Sequence, residues 1–417
     1  MPVRLGKTSQ KLLHATQKIV SGSPAHLKKS LKFSRDAIQC LAPIVRRLLE
    51  VSSQWKETAP FLVRSVDFPE KTYHQSDLFN VIPLPIRSTI LDSQKIARSY
   101  LFMAGSRQIR VHMVLPIADM WEGSREPAYF RRAIHLIWWW FSVIGEYANC
   151  DCGTSVDVYL YLTSHYKFMP QEGPIGPLHS NTAFTRTCEK NSTIQIFREE
   201  EWFKVLIHET FHSLGLEFSQ SPGFTPMYSN AIRLGFKIDT DGLLFETYCE
   251  VWATVFNAMF TAVLMKKTEN PRRTTVGGII RATETILLYE MKFALVQSAK
   301  VLHYMNISYA DFIHHGQDKT VLERLAAYRE DTNVFCYYVL KSLMLYHIDG
   351  FLGWCGVHNK GSPNFVKTRA NMASFIQWFS TIYKDPSYVE EHVYAENQLS
   401  HFGGLSEKYT LRMTLWG

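Results

Sequence analysis

The sequence predicts an α+β protein in which a small mixed sheet and one motif-bearing helix lie above a mainly helical lower subdomain. Three observations support this class. Short segments between residues 107 and 198 alternate apolar and polar residues with a period of two, which is typical of strands. Residues 202–214 form an apolar run with helical periodicity. Beyond residue 243, apolar residues recur with a period near 3.6, as they do in helices.

The predicted elements of the upper part alternate between strands and helices. In chain order they are a strand at 107–116, a helix at 128–148, strands at 156–162 and 193–198, and the apolar helix that follows at once. Further along the chain we predict helices at 279–304, 333–346 and 370–383, separated by loops at 270–275 and 350–363. The chain divides accordingly into a basic, mostly helical extension (1–95), an upper subdomain (96–216) and a helical lower subdomain (217–417).

A metal-binding motif lies inside the apolar helical run. His208 and His212 are four residues apart, so on a helix their imidazoles lie one turn apart on one face and can bind one metal ion. Glu209 is adjacent, where a carboxylate can take a proton from a metal-bound water. Acidic residues at 199–201 suit the start of this helix, and Gly215 suits its end. The spacing therefore predicts a site that hydrolyses peptide bonds.

A catalytic zinc ion usually has three protein ligands and a water, so the two histidines need a partner. One solution places it six residues after the second histidine, but Phe218 stands there and cannot bind metal. Glu217 is one residue off, and we expect it to point elsewhere. The other solution takes a carboxylate from a later helix, where Glu246 and Glu250 lie one turn apart among apolar residues. We expect Glu246 to bind the metal and Glu250 to orient a ligand histidine.

These residues resemble those of a known class of enzymes. The His208-Glu209-x-x-His212 motif is similar to that of the zincin metallopeptidases, and Glu246-x-x-x-Glu250 resembles the Glu-x-x-x-Asp of the gluzincin branch. The chain differs by a Glu at the last position and by the 34 residues from His212 to Glu246. The resemblance covers roughly residues 107–260. The string 208–218 also resembles uncharacterised zincin-like proteins of large DNA viruses.

The resemblance implies a fold and a mechanism. A zincin-like upper subdomain would hold zinc through His208, His212 and Glu246, with Glu209 as the catalytic base. An extended polypeptide substrate would pair with an edge strand beside the metal, for which 193–197 and 180–184 are the two candidate segments. A donor for the developing oxyanion is also needed. The sequence leaves six candidates for it: His303, Tyr304, His314, His315, Tyr338 and His347.

Composition is ordinary for a folded chain, with 46% hydrophobic and 20% charged residues. The apolar run at 133–144 is too short to span a bilayer, so we expect no transmembrane segment. Seven scattered cysteines are expected to be free thiols in a reducing compartment. The first residues contain no apolar signal region. We therefore expect an intracellular protein, either cytoplasmic or, if viral, in the virion.

The charge of the chain is concentrated at its N-terminus. Residues 1–50 contain ten basic and two acidic residues, a net charge of +8 against +7 for the whole chain. Such a segment could bind nucleic acid or another acidic surface, could target an organelle, or could be a pair of solvated helices. Two alternatives to a peptidase follow. One is a non-catalytic zincin-fold component of a large assembly such as a virus particle, and the other is a nucleic-acid-associated protein.

Overall fold

The protein has the predicted α+β architecture, with one mixed sheet and a larger helical part. The computed structural model describes residues 6–23, 30–54, 62–67, 77–116, 128–149, 151–269, 274–314, 316, 318–401 and 404–417. The predicted division at 95/96 and 216/217 stays a prediction.

The sheet contains six strands: β1 (Leu62–Asp67), β2 (Gln94–Ala104), β3 (Arg107–Pro116), β4 (Ser155–Thr163), β5 (Ala183–Thr185) and β6 (Asn191–Arg198). Their spatial order is β1-β2-β3-β4-β6-β5. Strands β3, β4 and β6 are parallel neighbours, and the other three pair antiparallel. The strands predicted at 107–116, 156–162 and 193–198 are confirmed. Strand β1 lies within the segment predicted to be a mostly helical extension.

The sheet is covered on both faces. Val156, Val158 and Leu160 of β4 alternate with half-buried residues and belong to the main core. On the opposite face, Tyr161 and Phe197 belong to a smaller apolar cluster with residues of the helix at Leu84–Ser93. Burial of both faces explains why the central strands are so rich in branched apolar residues.

The helices carry most of the chain. They are α1 (Lys7–Val20), α2 (Arg35–Gln54), α3 (Leu84–Ser93), α4 (Ala128–Ile144), α5 (Pro177–Ser180), α6 (Trp202–Ser213), α7 (Phe224–Phe236), α8 (Leu244–Glu269), α9 (Val276–Tyr304), α10 (Tyr309–His314), α11 (Lys319–Ala326), α12 (Lys341–Tyr346), α13 (Ile348–His358), α14 (Arg369–Ile382), α15 (Pro386–Gln398) and α16 (Leu405–Tyr409). A π-helical turn, Phe335–Leu340, runs directly into α12, and short 3₁₀ turns occur at Phe79–Val81 and Leu399–His401.

The loop predicted at 350–363 is wrong over its first half, which belongs to helix α13. Three glycines at 350, 353 and 356 suggested a loop, but they serve close packing. A Cβ atom at Gly356 would lie 3.3 Å from the backbone oxygen of Asp36 and 3.8 Å from Cys40 Cβ, both on α2. Small residues let two helices approach closely, and here tertiary packing outweighs the weak helix propensity of glycine.

The long helix α8 lies in the centre of the structure. Of the described helices it alone is long and apolar enough to cross a membrane, and 89% of its most apolar window is buried within the structure. A core helix that is apolar on all sides has this property. At the N-terminus, α2 packs against α13 and α9, while Lys7, Lys11 and Lys18 of α1 are exposed. The proposed roles of the basic segment stay predictions.

The expectation that all cysteines are free thiols is wrong for one pair, because Cys152 and Cys188 form a disulfide with their Cα atoms 4.6 Å apart. Cys152 precedes β4 and Cys188 precedes β6. These strands are parallel neighbours, so the segments that lead into them meet although the two cysteines are 36 residues apart in sequence. Four others, Cys40, Cys249, Cys336 and Cys355, are free and buried. Cys150 lies outside the described residues.

Candidate metal centre

Helix α6 carries the motif and is buried along its whole length. It begins after Glu201, and its last carbonyls are closed off by the turn at Leu214 and Gly215, where Gly215 has φ +62°. Both ends agree with the prediction. The apolar residues around the motif fix the helix in the core, and Thr210 accepts a hydrogen bond from the Trp140 indole at 3.0 Å. The two histidines are therefore presented from a rigid support.

Helix α8 packs against α6 and brings the two glutamates to the motif. Aromatic contacts hold the pair together, with the ring centroids of Phe211 and Tyr248 6.4 Å apart and those of Phe211 and Phe256 6.2 Å apart. Glu246 lies in the first turn of α8, and Glu250 lies one turn later on the same face. Glu250 meets His208, and Glu246 lies between His208 and His212.

Three side chains converge on one point. The Nε2 atoms of His208 and His212 are 3.2 Å apart. Glu246 Oε2 lies 3.2 Å from the first of these nitrogens and 3.4 Å from the second. This cluster of His208, His212 and Glu246 has the composition and compactness that a metal ion requires.

The cluster also fits a metal by its unsatisfied atoms. Glu246 Oε2 is buried and faces the two imidazole nitrogens without a well-aligned hydrogen bond to either. A buried carboxylate oxygen without a donor is costly, and a cation bound between it and the two imidazoles would satisfy it. Two imidazole nitrogens and one carboxylate oxygen are a donor set that could hold a metal ion.

His208 is oriented by Glu250, whose Oε1 lies 2.9 Å from Nδ1 of the histidine. Lys204 contacts both oxygens of this carboxylate, and Lys341 Nζ lies 2.9 Å from Oε2. Burial alone would raise the pKa of Glu250, but Lys204, Lys341 and His208 outweigh it and hold the pKa well below its ordinary value. Glu250 is therefore an anion that fixes which nitrogen of His208 faces the cluster.

His212 has a carboxylate partner that the sequence analysis missed. Glu217 Oε1 lies 3.3 Å from Nδ1 of His212, whereas we had expected Glu217 to point elsewhere. The carboxylate is held in turn by the backbone N–H and the hydroxyl of Ser219. The turn after Gly215 folds the chain back on the helix, which brings a residue five positions downstream to the histidine's far side. The signal available in the sequence was an acidic residue two positions after the glycine stop.

Glu209 lies beside the cluster and borders a small cavity. The cavity has a volume of about 40 Å³ and is lined on the motif side by Val205, His208 and Glu209. Its other walls are Lys167, Ser180, Asn181, Thr182, Ala183, Glu250, Tyr337 and Met413. Burial raises the pKa of Glu209, which both histidines oppose. The space admits water next to a carboxylate of raised basicity, but it is too small for a polypeptide segment.

Tyr337 brings a phenolic hydroxyl to this cavity. Its ring centroid lies 6.0 Å from that of His208, and burial raises its pKa well above the ordinary value, so it stays neutral. It stands in the π-helical turn next to Tyr338, which the sequence analysis had named instead. Tyr338 donates to the Leu411 carbonyl at 2.6 Å and lies in a separate apolar cluster.

The remaining candidate donors lie elsewhere. Tyr304 donates to the Gly173 carbonyl at 2.7 Å, and His347 Nε2 lies 3.3 Å from Asp385. His303 and His314 are exposed. None of these described candidates lines the cavity at Glu209. His315 lies outside the described residues.

Strand β5 forms the edge of the sheet next to the cavity. Segment 193–197, one of the two predicted substrate strands, belongs to β6 and is paired on both sides, with β4 and with β5. The other predicted segment, 180–184, includes the observed edge. Thr182 accepts a hydrogen bond from Phe197, and Phe184 faces Gln195, so Ala183 between them directs its backbone N–H and C=O away from β6. Ala183 also lines the cavity at Glu209.

Comparison with known proteins adds no further information on the site. No protein-family model, no curated protein and no solved structure matches the chain.

Proposed function

We propose that the protein is a zinc-dependent metallopeptidase. The observation that carries the proposal is the convergence of His208, His212 and Glu246 within 4.8 Å of one another, with Glu209 adjacent on the motif helix. A metal site that only supports the fold has no need of a carboxylate beside it with a raised pKa. When bound, zinc would supply a Lewis acid that polarises a peptide carbonyl and lowers the pKa of water to about 7.

The chain's own residues would divide the remaining work. A carboxylate oxygen of Glu209 accepts a proton from the attacking water and later delivers it to the leaving amine. The Tyr337 hydroxyl donates a hydrogen bond to the carbonyl oxygen as negative charge develops there. Glu250 and Glu217 hold the two imidazoles in the orientation that ligation needs.

An extended polypeptide is the substrate that best suits the edge of β5. The outward backbone groups of Ala183 would pair with the substrate backbone next to Glu209. A cavity of about 40 Å³ does not hold a peptide, so one of its walls has to move when substrate binds. The same small cavity favours a second candidate function, a metal site that stabilises a structural protein and turns over no substrate.

The variant Glu209→Gln separates the two candidates. It removes the proton acceptor but none of the three ligands, so we expect one zinc per chain as in the wild type and peptide hydrolysis lowered by at least about a thousandfold. Glu269→Gln, an exposed glutamate at the end of α8, serves as the matched control and should retain full activity. Stoichiometric zinc in a wild type with no activity on any peptide library would favour the structural role. A wild type that binds no zinc would overturn both.

A further inference from the structure

The disulfide lies against the end of the motif helix. The backbone N–H of Cys188 donates a hydrogen bond to the carbonyl of His212 at 3.0 Å. A Cβ atom placed on Gly215 would lie 3.0 Å from the sulfur of Cys152 and 3.3 Å from that of Cys188. The bonded sulfurs therefore fill the space under the turn that ends α6. We propose that the Cys152–Cys188 disulfide is a redox switch that controls the affinity of the site for its metal.

The segment that carries Cys188 also supports the second partner of His212. The Thr187 carbonyl accepts a hydrogen bond from Gln220 at 2.7 Å, and the Thr187 hydroxyl lies 3.5 Å from that of Ser219. Ser219 in turn binds the carboxylate of Glu217, which orients His212. Segment 187–188 thus contacts both the backbone of the ligand histidine and the turn that holds its ring.

The disulfide also controls the chain that forms the substrate edge. The covalent loop from Cys152 to Cys188 contains β4, the long connection after it, and β5. Opening the loop releases the chain at Cys188. This residue lies only three positions beyond Thr185, the last residue of β5. In the folded state, two unbonded sulfurs need more room than a disulfide, and the space beside Gly215 is already full. Reduction therefore displaces the helix-ending turn and the segment 187–188 together.

The chemistry requires a dithiol reductant. Cys152 is fully buried and Cys188 is half-buried, so a thiolate of the reductant attacks the sulfur of Cys188. This forms a mixed disulfide and releases Cys152 as a thiolate, which takes up a proton. The second thiol of the reductant then attacks the reductant's other sulfur, which is bonded to Cys188 in the mixed disulfide. This closes the reductant's disulfide and releases Cys188. The protein gains two electrons and two protons, and the dithiol becomes a disulfide.

The test measures zinc affinity in both redox states, and it rests on the proposed zinc site. Zinc dissociation constants are determined by competition with a chromophoric chelator at a temperature well below that of unfolding. They are measured before and after treatment with a dithiol, which is removed before the second measurement. We expect reduction to weaken zinc binding by about tenfold to a hundredfold, as loss of support for a ligand histidine does. Closure of a loop of this length further predicts that the metal-free protein unfolds about 4 °C lower when reduced.

Two variants complete the experiment. Cys152→Ser combined with Cys188→Ser should show a zinc affinity that does not respond to the dithiol. Cys355→Ala, which removes a buried free thiol and keeps the disulfide, should respond as the wild type does. Equal zinc affinity in oxidised and reduced protein, or a response that persists in the double serine variant, would overturn the switch. Absence of stoichiometric zinc in both redox states would instead overturn the proposed function, so the two failures are distinguishable.

Discussion

Neutralising Glu250 should cost more metal-free stability than neutralising Glu246, the other glutamate of α8. In Glu250→Gln, Lys204 loses its main anionic partner and is fully buried. Burial already lowers the pKa of Lys204 to about 8, and without the Glu250 carboxylate this lysine is left as an unpaired buried charge or gives up its proton at pH 7. Breaking a buried ion pair from one side costs about 3–5 kcal/mol by the same reasoning. We therefore expect metal-free Glu250→Gln to lose about 4 kcal/mol of unfolding free energy.

The matched control is Glu246→Gln, one turn away. Its partners are His208 and His212, whose ordinary pKa of about 6.5 lets them become neutral at pH 7 at almost no cost. This variant should therefore lose less metal-free stability than Glu250→Gln and yet lose most of its zinc affinity, because it removes a ligand.

Urea unfolding in the presence of a chelator measures both variants, and pH supplies a further check. Burial lowers the pKa of Lys204 to about 8 in the wild type and further without Glu250, so the loss shrinks by about 1.4 kcal/mol as pH rises from 7 to 8 and changes little above that. The wild-type contribution of Glu250, whose own pKa is lowered, is complete above about pH 4.5 and is lost as pH falls below it. Equal destabilisation by the two variants, or a loss for Glu250→Gln that does not change with pH, would refute this account of the charge cluster.

Two further predictions concern the chemistry of the site. Tyr337→Phe should bind zinc as the wild type does and lower kcat for peptide cleavage by about a hundredfold; unchanged kcat would remove Tyr337 from the mechanism. Burial lowers the pKa of both histidines, but neighbouring groups outweigh it. Glu246 and Glu250 raise the pKa of His208, and Cys249 and Glu246 raise that of His212. Zinc binding near neutral pH should therefore release protons from this pair of rings, fewer as pH rises, and calorimetry in buffers of different ionisation enthalpy would detect a release near zero if this is wrong.

The parts of the fold that sequence predicted are those with strong periodicity. Strands β3, β4 and β6 alternate with branched residues, and α6 has both a clear stop at Gly215 and an apolar body. The failures have physical causes. Helix α13 was missed because its glycines serve close contact with α2, and β5 is only three residues long, too short for a periodic signal. The secondary structure of such segments is decided by strand pairing across the sheet and by packing between helices.

The candidate site divides in the same way. The convergence of His208, His212 and Glu246 was predictable, because helical spacing places the two pairs of residues on matching helix faces. The positions of Glu217 and Tyr337 were not predictable, because each residue reaches the site through a local irregularity of the backbone. Glu217 does so through the turn after α6, and Tyr337 through a π-helical turn. A one-residue shift of register decides whether Tyr337 or Tyr338 faces His208. The disulfide was hidden because its partners meet only through the parallel pairing of β4 and β6.

The most direct test of the central claim is X-ray absorption spectroscopy at the zinc edge on the zinc-loaded protein. The account predicts one zinc per chain with two imidazole nitrogens and oxygen ligands at about 2.0–2.2 Å, and loss of that signature in His208→Ala. Cys249 lies close enough to His212 to influence its pKa, which makes a thiolate the realistic competitor. A sulfur ligand at about 2.3 Å, or a spectrum that His208→Ala leaves unchanged, would contradict the proposed centre.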